Sequence, residues 1–114
     1  MPNLQCIIKS YLIRLNVDPT HIGYRQMIDC IEIRITEQLP TMGAIYAVAA
    51  IKYGVKPKSV MRNITYALDH VTDLASRLSE ILGFTVDDNS LHNGRVIFYI
   101  ADLITEPSLF DFSA

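Results

Sequence analysis

Apolar positions recur at helical spacing along nearly the whole chain. Leu4, Ile7, Ile8, Tyr11, Leu12 and Leu15 form one stripe, with Lys9, Ser10 and Arg14 beside it, and predict a first helix. Asn16-Val17-Asp18-Pro19 interrupts the stripe, and the segment to His21-Ile22-Gly23-Tyr24 reads as a turn in which Gly23 supplies backbone freedom. A second helix is expected from about Arg25 to Glu37, burying Met27, Ile28, Ile31 and Ile35. Pro40 resets the backbone, and Thr41 stands where it can cap a third helix, Met42 to Tyr53, whose small and apolar residues predict packing on most sides. Gly54 ends that helix and Val55-Lys56-Pro57 makes a tight connection. The pattern restarts at Lys58 and runs towards Arg77, with Val60, Ile64, Ala67, Leu68 and Val71 facing inward. Leu74 to Leu82 carries a further stripe, Asp87-Asp88-Asn89-Ser90 forms a polar loop, and Arg95 to Ile104 makes the last helix. Nothing alternates for long enough to demand a sheet, so the expected fold is an all-α, compact bundle of about six helices.

Composition bounds this picture more than it changes it. With 114 residues, half of them hydrophobic, the chain can bury one continuous core, so a single domain over 1–114 is expected, with its core over about 4–104 and a C-terminal tail over 105–114. Leu109, Phe110 and Phe112 in that tail are expected to dock on the domain. The longest apolar run, Ala44 to Ile51, is too short to span a bilayer, and Met1-Pro2-Asn3-Leu4 does not open a leader, so a cytoplasmic protein with no membrane partner is expected. Cys6 and Cys30 sit among apolar residues and are expected to be buried core thiols. His21, His70 and His92 stand far apart with no partner at ligand spacing, so neither a metal nor another cofactor is expected. Asp87, Asp88 and His92 have no nucleophile-base pair or phosphate loop with them, which argues against an enzyme. Tyr46 and Tyr53, at helical spacing, read as core.

Charge does change the picture. The chain as a whole carries −2, yet no acidic residue lies between Gln38 and Leu68, a stretch that holds Lys52, Lys56, Lys58 and Arg62. That stretch also carries Ala50, Gly54 and Val60 at the spacing of a helix-turn-helix: a small residue where two helices touch, a glycine in the turn, and an apolar anchor in the second helix. The second helix, over about 58–72, is then a candidate recognition helix. Arg62 offers a guanidinium for guanine and Asn63 an amide for adenine, while Ser59 and Tyr66 offer hydroxyls. Lys56 and Lys58 stand at the helix entrance, suited to phosphate.

Four landmarks in order resemble the DNA-binding effector domain of the stage-zero sporulation protein A family, from about Ile8 to Ile104. The first is Val17-Asp18-Pro19-Thr20-His21-Ile22-Gly23-Tyr24, similar to a valine-proline turn followed by histidine, isoleucine, glycine and tyrosine. The second is Ile45-Tyr46-Ala47-Val48-Ala49-Ala50-Ile51-Lys52-Tyr53, in which Ala47 replaces the family's proline. Ser59-Val60-Met61-Arg62-Asn63-Ile64-Thr65-Tyr66-Ala67 overlies the recognition helix, and Leu82-Gly83-Phe84-Thr85-Val86 is followed at family spacing by Asn93 and Ile100-Ala101-Asp102. The resemblance implies a six-helix domain that binds double-stranded promoter DNA as a homodimer, and it adds Asn93 to the DNA-contacting set. Met61, Thr65 and Ser59 stand where the family has glutamate and arginines, so the family's own target sequence is not implied. With no room for a receiver domain, a receiver-less regulator is expected; the alternative is a protein-interaction module of the same fold that no longer reads DNA.

Overall fold

Asn3 begins the first helix, its side-chain oxygen accepting the Cys6 amide at 2.8 Å, and α1 runs Leu4–Arg14 with Ile8 and Leu12 inward. The computed structural model describes residues 3–107. Among them are α1, α2 (Ile22–Glu37), α3 (Met42–Tyr53), α4 (Pro57–Asp69), α5 (Leu74–Leu82) and α6 (Asn93–Thr105), with one 3-10 turn at Asp88–Ser90 and no strand. They form a compact all-α globule. The expected docking of the tail falls mostly on residues 108–114, outside the described residues.

The chain reverses after α1 at Asn16, whose positive φ of 65° suits asparagine better than most residues. The expected turn at Gly23 is corrected: Gly23 lies inside α2, with no special backbone angle, and is buried. Its lack of a Cβ serves packing instead. A Cβ there would stand 2.7 Å from the Asn63 carbonyl carbon and 3.0 Å from the Ala67 Cβ, so α4 crosses α2 directly against this glycine.

α2 is the central element, packing against α1, α3, α4 and α6. Met27, Cys30 and Ile31 are fully buried on it, and Ile28 nearly so, while Ile35 is half-buried. It ends at Gln38, in the left-handed region, where the Arg34 guanidinium donates to the Leu39 carbonyl. Thr41 caps α3 by accepting the Ala44 amide, and Gly54, at φ 64°, closes it. Only Gly54, Val55 and Lys56 separate α3 from α4, and Pro57 occupies the first turn of α4, where its missing N–H costs nothing. Ala50 and Val60, on either side of the turn, are both buried.

The fourth helix is shorter than the 58–72 expected from the pattern. It stops at Asp69, the chain breaks at 70–73, and Asp73 at φ 58° starts a separate α5. The apolar stripe persists across the break because Val71 and Leu74 pack on the core from non-helical and helical backbone alike. Cys6 is also corrected: it is exposed on α1, and only Cys30 is a buried thiol. Cys6 lies on the solvent face of α1 with Lys9, Ser10 and Ile13, turned away from the buried Ile8–Leu12 line.

Candidate nucleic-acid interface

On α4, burial of Val60, Ile64, Ala67 and Leu68 determines what faces outward. Lys58, Met61, Arg62, Thr65, Tyr66 and Asp69 are exposed, and Ser59 and Asn63 are half-buried. Lys56, just before the helix, is exposed too. Lys56, Lys58 and Arg62 make no ion pair among the described residues, and the single carboxylate on α4 is Asp69 at its far end. The outer surface of α4 is therefore cationic towards its N-terminus, where the unsatisfied amides of the first turn add partial positive charge.

Lys52 does not belong to that surface. Its ammonium lies 3.0 Å from the Asp29 carboxylate of α2, which also accepts from the Tyr53 hydroxyl. Asp29 is almost wholly buried, and these two donors are what make a carboxylate tolerable among core residues. Burial raises the Tyr53 hydroxyl well above its ordinary 10.0, and its hydrogen bond to Asp29 raises it further. Of the four cations in the acid-free stretch, three face outward and one closes the α2–α3 contact.

Asn93 belongs to the scaffold. Its amide nitrogen stands 2.9 Å from Thr65 Oγ1, 3.2 Å from the Met61 carbonyl and 3.3 Å from the Tyr46 hydroxyl. Two N–H groups shared among three oxygens tie the start of α6 to α3 and α4, leaving that nitrogen none to offer a base or phosphate. Thr65 is drawn into the same tie, its hydroxyl also donating to Met61 O at 2.9 Å. Asn93→Ala is expected to cost about 1–2 kcal/mol, seen as a lower urea midpoint with unchanged helical circular dichroism.

At the other end of α4 three rings meet. Tyr66 stands 4.2 Å from His70 and 5.1 Å from His21, centroid to centroid, and the two histidines are 5.3 Å apart. His21 and His70 are 49 positions apart in the chain, and it is the α2–α4 crossing at Gly23 that joins them. Thr20 donates to Asp18 from its amide at 2.9 Å and its hydroxyl at 2.8 Å, and these bonds hold the Asp18 carboxyl below its ordinary 3.8. Asp18 in turn lies 3.8 Å from His21 Nε2, so the cluster has a carboxylate at its edge. Spacing along the chain carries no sign of this grouping. The Asp29 site did leave one: a lone carboxylate in the apolar run Met27-Ile28-Asp29-Cys30-Ile31.

Among the described residues no group of three histidine, cysteine or carboxylate side chains is placed to hold a metal ion, and no helix is long and apolar enough to cross a membrane. Comparison with models of known protein families, with curated proteins and with solved structures finds no match to this chain.

Proposed function

We propose that this chain is a sequence-specific DNA-binding transcriptional regulator of the kind its landmarks resemble, with α3 and α4 as its helix-turn-helix and α4 as the recognition helix. The observation that carries this reading is the outer surface of α4, where Lys58 and Arg62 are exposed, one turn apart and without an ion pair among the described residues, with Lys56 at the entrance. A helix of 13 residues is about 20 Å long and fits the major groove end-on or lengthwise. Arg62 would read guanine by a bidentate contact, with Asn63, Ser59 and Tyr66 on the flank, while Lys56 and Lys58 would neutralise phosphates. Asn93 would act indirectly, by holding α4 in place.

A second reading, a protein-interaction module, draws support from Met61 and Tyr66. They expose 37% and 57% of their surface among the cations of α4, an apolar content larger than groove contact requires. One titration separates the two. Fluorescence anisotropy on random-sequence duplex DNA is expected to give an affinity that falls linearly on a log-log plot against salt, with a slope of about −2 to −3 for the three outward cations. Lys58→Ala with Arg62→Ala is expected to reduce that slope by about 2. Absence of binding by the unmodified chain at low salt overturns the regulator reading and leaves the interaction module.

A further inference from the structure

A cleft of about 520 Å³ lies where α1, α2 and α3 meet, and the Asp29 site opens into it. Helical spacing builds its polar wall. Lys9 comes from α1, Arg25 and Asp29 stand one turn apart on α2, and Lys52 and Tyr53 end α3. Three cations from three helices thus border one recess, and Asp29 is the single carboxylate among its lining residues. The charges do not cancel. Asp29 is already met by Lys52 at 3.0 Å and by the Tyr53 hydroxyl, while Lys9 and Arg25 make no ion pair among the described residues. The Tyr53 hydroxyl, raised by burial and then by Asp29, is pulled the other way by Arg25, so the guanidinium lies within electrostatic reach of the Asp29 end of the cleft. Three cations against one carboxylate leave +2 in a recess with protein walls, an arrangement that concentrates anions.

A second, independent observation points the same way. Tyr24 exposes only 7% of its surface, lines this cleft, and its hydroxyl has no hydrogen-bond partner among the described residues. A phenol so nearly buried ordinarily has one. Burial raises this hydroxyl above its ordinary 10.0, so it remains a donor at neutral pH. A guanidinium, an ammonium and a phenol therefore line one recess with nothing in the chain to accept from them. The Tyr24 and Tyr53 rings, with Ile28 and Pro19, supply an apolar wall beside these donors.

We infer that this cleft binds a small organic phosphate monoester, with Arg25 and Lys9 on the phosphate, Tyr24 donating to one of its oxygens, and the organic body against the apolar wall. A monoester carries about −1.5 to −2 at pH 7, which matches the excess charge, whereas a carboxylate brings only −1. The guanidinium fork fits two phosphate oxygens at once. The volume lies within the roughly 300–1,000 Å³ of small-ligand sites and suits a molecule of mononucleotide size. Arg25 is two residues from Gly23 and so nearly opposite it round α2, which turns the cleft away from the α2–α4 contact. The inference does not depend on DNA binding by α4, which uses other residues.

The test is a titration of the isotope-labelled chain with adenosine 5′-monophosphate at low salt, with adenosine and inorganic phosphate in parallel, followed by amide chemical shifts and by calorimetry. The expected result is saturable binding at one site, with the largest shifts over residues 5–9, 24–29 and 52–53. Adenosine should bind at least about 10-fold more weakly, and inorganic phosphate should move the same amides at higher concentration. Arg25→Ala and Tyr24→Phe, the latter keeping the ring, should each weaken nucleotide binding by about 10-fold or more, and Lys9→Ala by about 3-fold. Lys58→Ala with Arg62→Ala should leave it unchanged. Lys9 and Arg25 are exposed, so their removal should leave the fold intact, which circular dichroism checks. No saturable binding of either phosphate, equal affinity for adenosine and its monophosphate, or binding that survives Arg25→Ala but not the α4 double substitution would each overturn the proposal. So would an Arg25→Ala defect on random-sequence duplex DNA as large as that on the nucleotide, since the cleft would then serve the DNA backbone.

Discussion

Gly23→Ala is expected to destabilise the domain by about 3 kcal/mol or more, a large share of the total stability of a domain this size. Two effects oppose each other. Alanine in place of glycine within a helix gains roughly 1 kcal/mol from backbone propensity. Against that, the new methyl would overlap the backbone of Asn63 on α4, where the nearest atoms are a carbonyl carbon at 2.7 Å and its oxygen, and neither can swing aside as a side chain could. Overlap with backbone wins, and α4 must lift off α2. Gly43→Ala is the control: it also lies in a helix, but with nothing within 4 Å, so it should be neutral or gain a few tenths of a kcal/mol. Urea denaturation followed by circular dichroism, in dilute protein, separates the two. Equal stability of both variants would mean that the α2–α4 crossing is looser than described.

The second large effect is loss of stability in alkali. Burial, and next the neighbouring Asp29 charge, push the Cys30 thiol up to about 12 from an ordinary 9.0. The folded state thus keeps the proton over a range in which the unfolded chain gives it up. Stability is fully present below about pH 9, falls as pH rises from there, and the loss is complete near pH 12, amounting to about 2 kcal/mol by pH 10.5. Tyr24 and Tyr46, raised by burial, and Tyr53, raised by burial and by Asp29, act in the same direction from about pH 10 upward. Cys30→Ala lowers stability at neutral pH by opening a small void, but should flatten the decline between pH 8 and 10.5. Parallel declines in the two proteins would assign the alkaline loss to the tyrosines alone.

Much of the helix pattern was legible in the sequence because local signals mark it, such as the Thr41 cap, the Gly54 stop and Pro57 at the next start. The Ala50, Gly54 and Val60 spacing likewise located the α3–α4 pair. What sequence reasoning missed depends on contacts between elements. Gly23 looked like a turn residue because glycine has two uses, backbone freedom and close approach, and only the position of α4 decides between them. Asn93 stood among the candidate contacts on the resemblance alone, and nothing local shows that Tyr46, Met61 and Thr65 converge on it. Helical periodicity ran through 70–73 because a stripe of apolar residues records burial, and burial continues across the break after Asp69. Of the candidate contacts, Lys56, Lys58, Arg62 and Tyr66 lie exposed, Ser59 and Asn63 lie at the margin, and Asn93 is occupied.

The way α4 is held has a consequence for how such a surface can diverge. Gly23 meets it from α2, the three-residue turn ties it to α3, and Asn93 pins it from α6, all through its buried side or its backbone apart from Thr65. The side chains of Lys58, Met61 and Arg62 bear little of that restraint. Changes at Lys58, Met61 and Arg62 are expected to carry little folding penalty, whereas Thr65 is bound to the scaffold and Tyr66 packs against His21 and His70. The surface chemistry of the N-terminal half of α4 can therefore change in single substitutions while the domain stays folded.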